Sequence, residues 1–256
     1  MKRILFSLIV TEVIMTISIL LAVPFTASIE TSTSPYKDFI VTAGNQIKIE
    51  EEIIEEKEPL KDVGDTETFR LQVDPILQNP ELPTGCEVTS LATVLNFYGY
   101  ETNKIELSDT YLSKAKPGEA SPYVAFIGNP KSKSGYGCYA PVIAECANNY
   151  LNENNTHIVA HNVSGSEFTE FEKYVYNGMP VIIWQTINMV DPYVSTTWKF
   201  GKETVEWIAN EHATVLIGWN KDNYIFADPL KGIVEYNKSK VIQRYNELGK
   251  QAVVIY

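Results

Sequence analysis

The chain has 256 residues, of which 45% are hydrophobic and 21% charged, with a formal net charge of −11. These proportions suit a soluble globular chain long enough for a sizeable core, and the negative balance argues against holding nucleic acid or an anionic membrane by bulk charge. Three cysteines are too few for a disulfide framework and, with three histidines, give no zinc-ligand spacing, so no metal and no cofactor is expected.

Residues 1–28 read as an export segment. Lys2 and Arg3 lead an apolar run from Ile4 to Pro24, and Thr26 and Ser28 put small residues where a cleavage site needs them. The run is long enough to span a bilayer, but Glu12 in its middle is costly for a permanent anchor. A cleaved signal is therefore favoured over a membrane anchor, and either one places the rest of the chain at an extracellular or cell-surface location. Residues 29–68 read as a polar acidic linker, with six glutamates between Glu50 and Asp62 and Pro59 breaking the run. An inhibitory pro-segment built on Ile49, Ile53 and Ile54 is the alternative.

The folded domain is expected over residues 69–256. Arg70 to Val73 predicts a short strand. Pro83 and Gly85 then clear the way for a helix in which Val88, Leu91, Ala92, Leu95 and Tyr98 recur at three and four, with Gly99 as its stop. Thr84 and Glu87 have capping-box spacing with Thr84 as N-cap, which puts Cys86 in the first turn. There the positive end of the helix favours thiolate over thiol. Glu87 pushes the other way, so a histidine partner is required. Loops around a short helix at 108–114 follow, then a helix at 140–151, a strand at 158–160 and a helix at 166–176 capped by Ser164 or Ser166. Strands at 180–185, 211–219, 224–228, 232–236 and 252–256 complete a sheet of about five. Helices first and strands later is the order of an α+β domain, and no Gly-rich phosphate loop interrupts it.

His212 opens one late strand and Asp228 closes the next. A hairpin centred on Asn220 places them directly opposite, although Lys221 to Asn223 suggest a later centre and an offset or bulge. A carboxylate beside the ring would orient it and stabilise the imidazolium formed when Cys86 loses its proton. His157 and His161 are rival bases, but neither has a carboxylate strand following it. Each of the three residues also has a plain reading: core filler for Cys86, a structural hydrogen bond for His212, a turn former for Asp228. Cys138 and Cys146 read as reduced, packed residues. Trp184, Trp198, Trp207 and Trp219 are given no binding role.

The run from Leu77 to Glu87, the later Gly137-Cys138-Tyr139-Ala140-Pro141, and His212-Ala213 through Asp228-Pro229 resemble the papain-fold peptidases of cysteine family thirty-nine, in particular its stand-alone, exported bacterial branch. The resemblance covers residues 69–256. It implies a papain-like fold, a helical part followed by an antiparallel sheet, with Cys86 as nucleophile, His212 as general base and acid, and Asp228 as orienting residue. It also implies Gln78 as side-chain donor to the oxyanion beside the Cys86 N–H. The best-known relatives cut leader peptides on ATP-driven transporters. No nucleotide-binding domain or transporter helices are read in this chain, so that role is not carried over. The expectation is an exported thiol hydrolase, a monomeric cysteine peptidase with a peptide or protein substrate. The alternatives are a non-catalytic peptide- or wall-binding module on the same fold, or a thiol acyltransferase.

Overall fold

The computed structural model describes residues 59–256. The export segment and the linker as far as residue 58 lie outside the described residues. Before Phe69 the chain is already fastened down: the Lys61 N–H donates to Asn177 Oδ1 (2.9 Å), and the Thr66 carbonyl accepts from Trp219 Nε1 (3.0 Å). Among the described residues no helix is long and apolar enough to cross a membrane.

In chain order the elements are β1 (Phe69–Arg70), α1 (Cys86–Phe97), α2 (Lys104–Glu106) running into a π turn at Leu107–Tyr111, β2 (Lys114–Ala115), β3 (Phe126–Ile127) and α3 (Ala140–Glu153). Then come β4 (Ala160–Asn162), α4 (Phe168–Tyr176), β5 (Val181–Thr186), β6 (Tyr193–Phe200), β7 (Glu203–Ala209) and β8 (Glu211–Trp219). The last are β9 (Asn223–Asp228), β10 (Gly232–Asn237), α5 (Lys238–Glu247) and β11 (Ala252–Ile255). The main sheet runs β10-β9-β8-β5-β11-β4, with β1 added against β8. Every pairing in it is antiparallel. Close contact of β1 with β8 depends on Gly218, where a Cβ would stand 2.2 Å from the Phe69 carbonyl oxygen.

Helices cover both faces of this sheet. Val88, Leu91 and Leu95 of α1 and Val142, Ile143 and Cys146 of α3 pack against Ile182, Trp184, Ala213, Val215 and Ile217. On the other face Phe168, Phe171 and Val175 of α4 and Val241 and Tyr245 of α5 pack against Val181, Ile183, Leu216 and Phe226. That double cover explains why β5 and β8 are buried along their whole length and read as near-continuous apolar runs. Each fully buried Leu, Ile or Phe contributes about 1.5–3 kcal/mol of transfer free energy, so α1, sealed through its first ten residues, is held firmly in place.

Several local expectations are corrected. The N-cap of α1 is Gly85, without a side-chain cap. A Cβ on Gly85 would lie 2.8 Å from Leu82 Cβ, which leaves room for glycine alone. The Thr84 hydroxyl is used elsewhere, donating to the Ser132 carbonyl (2.9 Å), so no capping box forms. The helix expected at 108–114 is α2 and its π turn instead, started by Asn103, whose side chain accepts from the Ile105 and Glu106 N–H groups. The N-cap of α4 is Glu167 rather than Ser164 or Ser166. The hairpin β6–β7 and helix α5 were not foreseen. Alternate residues of the hairpin are polar, and its buried side carries Trp198 and Trp207 onto Tyr136 and Tyr139.

Candidate active site

Three pieces of backbone meet at the first turn of α1. Cys86 is the first residue of the helix and only 7% exposed. Beneath it runs the head of β8, to which α1 is tied by the Ser90 hydroxyl donating to the Ala213 carbonyl (3.1 Å). Beside it lies the 137–139 loop, pinned by Trp184 Nε1 donating to the Cys138 carbonyl (2.8 Å).

His212 and Asp228 come together, not directly opposite but with the offset and bulge that Lys221 to Asn223 suggested. Val215 pairs with Ala227 and Leu216 with Phe226, and a bulge lies between Leu216 and Gly218. Continuing that register sets Thr214 opposite Asp228, so His212 reaches the carboxylate diagonally along the same face. Its Nε2 lies 2.9 Å from Asp228 Oδ1, with both side chains buried. Burial pushes the Asp228 carboxyl up. The His212 hydrogen bond and charge, the Leu230 N–H and nearby Lys231 outweigh it, and the group ends below its ordinary value. An ionised carboxylate only accepts, so Nε2 is the donor in this bond. Gln185 sits across from His212 on β5 and donates to the Thr214 hydroxyl (2.8 Å).

Gln78 is drawn to the same place. Its N–H donates to the Pro229 carbonyl (2.7 Å), next to Asp228, and its side-chain amide donates to the Pro83 carbonyl (2.9 Å), just before Cys86. One N–H of that amide remains for a further acceptor, and the side chain is almost fully buried. The other histidines are elsewhere: His157 is exposed, and His161, on edge strand β4, stacks on Tyr256 with ring centroids 4.3 Å apart.

The thiol has a partner that the sequence reading had only as an opposing charge. Cys86 Sγ donates to Glu87 Oε2 (3.3 Å), while Glu87 Oε1 accepts from the Cys138 N–H (2.8 Å). Glu87 is fully buried, as is nearly all of Glu211 at the head of β8. Burial, then the charges of Glu87 and Glu211, push the Cys86 thiol well up, and the Ala213 N–H directed at the sulfur only partly offsets them. These surroundings favour the thiol, against the thiolate that the helix end alone would favour. Burial also raises the Glu87 carboxyl to about 7. It also pushes the Glu211 carboxyl well up, with the charge of Glu87 adding to it. Glu211 escaped notice because it precedes the histidine. Its visible signal is an acid heading a strand that is otherwise apolar. Together Cys86, Glu87 and Glu211 offer metal-ligating atoms that all lie within 4.8 Å of one another.

Comparison with known proteins identifies the family. Residues 70–253 match the model of the Peptidase_C39 like family. The protein YvpB of Bacillus subtilis (strain 168) is 30% identical over 196 residues, which are 72% of this chain and 75% of that one. A crystal structure from Bacillus anthracis, named as a candidate C39-like peptidase, superposes with a TM-score of 0.67 at 32% identity, over 74% of this chain and 98% of that one. With its helix-covered antiparallel sheet and the match extending over most of its length, the chain belongs to the Peptidase_C39 like family and has the papain-like α+β fold of its peptidases.

Proposed function

We propose that the domain is a thiol-dependent hydrolase that cleaves peptide or amide bonds through an acyl-enzyme. The observation that carries this reading is the buried His212–Asp228 pair, held at 2.9 Å through Nε2, while Cys86 lies against the backbone of Ala213, the very next residue. In the reaction His212 Nδ1 takes the thiol proton as the sulfur attacks the carbonyl carbon. The Cys86 N–H and the remaining Gln78 amide N–H stabilise the oxyanion. Collapse breaks the C–N bond, and His212 returns the proton to the departing amine. Water, deprotonated by the same imidazole, then attacks the thioester and restores the thiol. Export by residues 1–28 and action outside the cytoplasm belong to the same proposal, with Asp228 as the orienting residue and a peptide or protein as substrate.

One observation favours a second reading, a peptide-binding module that retains the fold. The resting thiol donates to Glu87 rather than to the imidazole. Alkylation separates the two. If His212 draws the proton from Cys86, iodoacetamide should label Cys86 well ahead of the buried Cys138 and Cys146, and His212→Ala should erase that lead. A lead that survives His212→Ala reflects exposure alone and favours the binding module.

A further inference from the structure

We propose that Cys86, Glu87 and Glu211 form a binding site for a thiophilic divalent cation of the zinc class, and that occupancy takes the sulfur out of use. The donor atoms lie within 4.8 Å of one another, and all three residues are buried. The independent mark is Glu211, which is 8% exposed and whose Oε1 has no hydrogen-bond partner. Nor does any cationic side chain among the described residues pair with either acid. Burying a carboxyl oxygen without a donor is costly, and a cation here gives Glu211 Oε1 a partner.

The donor set selects the metal. One sulfur and two carboxylate oxygens suit zinc, whereas magnesium and calcium take all-oxygen shells. Zinc bonds of about 2.0–2.3 Å at tetrahedral angles put neighbouring donors roughly 3.5 Å apart, so side-chain shifts of about 1 Å close the site. Three protein ligands leave a fourth position for water. Glu87 is sealed and already oriented by the Cys138 N–H (2.8 Å). On binding, the Cys86 thiol proton and the protons held by the two raised carboxyls pass to solvent, and the sulfur ligates as thiolate. Inhibition rests on the proposed function, since it requires Cys86 as nucleophile. Binding does not.

The test adds Co2+, and then competing Zn2+, to the full chain in detergent after chelator treatment. A sulfur-to-cobalt charge-transfer absorption should appear, fall as Zn2+ displaces cobalt, be lost in Cys86→Ser and persist in Cys138→Ser. Glu211→Gln keeps the side chain's volume and should weaken binding by at least the roughly tenfold typical for loss of a supporting partner. Should circular dichroism show that variant unfolded, Glu87→Gln supplies the same comparison. No absorption in the wild type, absorption that survives Cys86→Ser, or unchanged affinity in the folded Glu variant overturns the proposal. If cobalt binds as described but the metal-free protein cleaves no peptide, the site stands and the hydrolase reading falls.

Discussion

Gly137→Ala tests whether the carboxyl pocket under the thiol is as tightly closed as described. A Cβ at residue 137 would stand 2.5 Å from Glu87 Oε1, 2.8 Å from Trp207 Cη2 and 3.1 Å from Glu211 Oε2. The φ of +154° also lies on the positive side that L-residues rarely adopt. None of the neighbours yields easily. Glu87 is held by the Cys138 N–H, and Trp207 is buried and stacked on Tyr139. Overpacking of this kind costs about 1–3 kcal/mol. A displaced Glu87 leaves the buried Cys138 N–H unpaired for about 1–3 kcal/mol more. The expected loss is thus about 2–6 kcal/mol, and at roughly 2–4 °C per kcal/mol the melting temperature should fall by at least about 4 °C. Circular dichroism melts of both proteins measure it. The loss should be non-additive with Trp207→Leu, because that substitution removes one of the clashing groups. A Gly137→Ala protein melting within about 1 °C of wild type would refute the closed pocket.

Two further outcomes follow from the same geometry. The Asp228 carboxyl is held below its ordinary value of 3.8, so the unfolded chain binds its proton more readily. The stability this contributes is present above 3.8 and is lost as pH falls through the lowered folded value. Denaturant midpoints measured from pH 5 downward should fall less steeply in Asp228→Asn, and an unchanged slope would contradict the His212–Asp228 pair as described. Gly218→Ala drives a Cβ to 2.2 Å from the Phe69 carbonyl and 2.8 Å from Arg70 Cα, so β1 must leave β8. About 1–3 kcal/mol should be lost, with faster proteolysis near residue 69, and resistance equal to wild type would tell against the strand's placement.

The helix at Cys86 and the strands at 181–186 and 211–219 were legible because they are buried all round, leaving unbroken apolar runs with clear stops. His212 and Asp228 were legible because each sits at an element end next to such a run. The offset between them was legible in part: Lys221 to Asn223 set the turn late, as the Trp219–Tyr224 pairing shows, but nothing in the residues placed the bulge at Leu216–Gly218. Thr84 misled because hydroxyl and carboxylate spacing says nothing of what else is near, and here the 129–132 loop and the Cys138 N–H claimed both groups. The β6–β7 hairpin stayed hidden because only one of its faces meets protein, through Trp198, Val205 and Trp207 among serines, threonines and glutamates.

The most direct measurement is digestion of a peptide library in 18O-water by the full chain and by Cys86→Ala, read by mass spectrometry. Cleavage should place 18O in the new carboxyl termini, and intact-mass spectra of quenched wild-type reactions should carry an acyl group on Cys86. Cleavage that continues in Cys86→Ala, or no cleavage and no acyl group in wild type at any library position, would contradict the account.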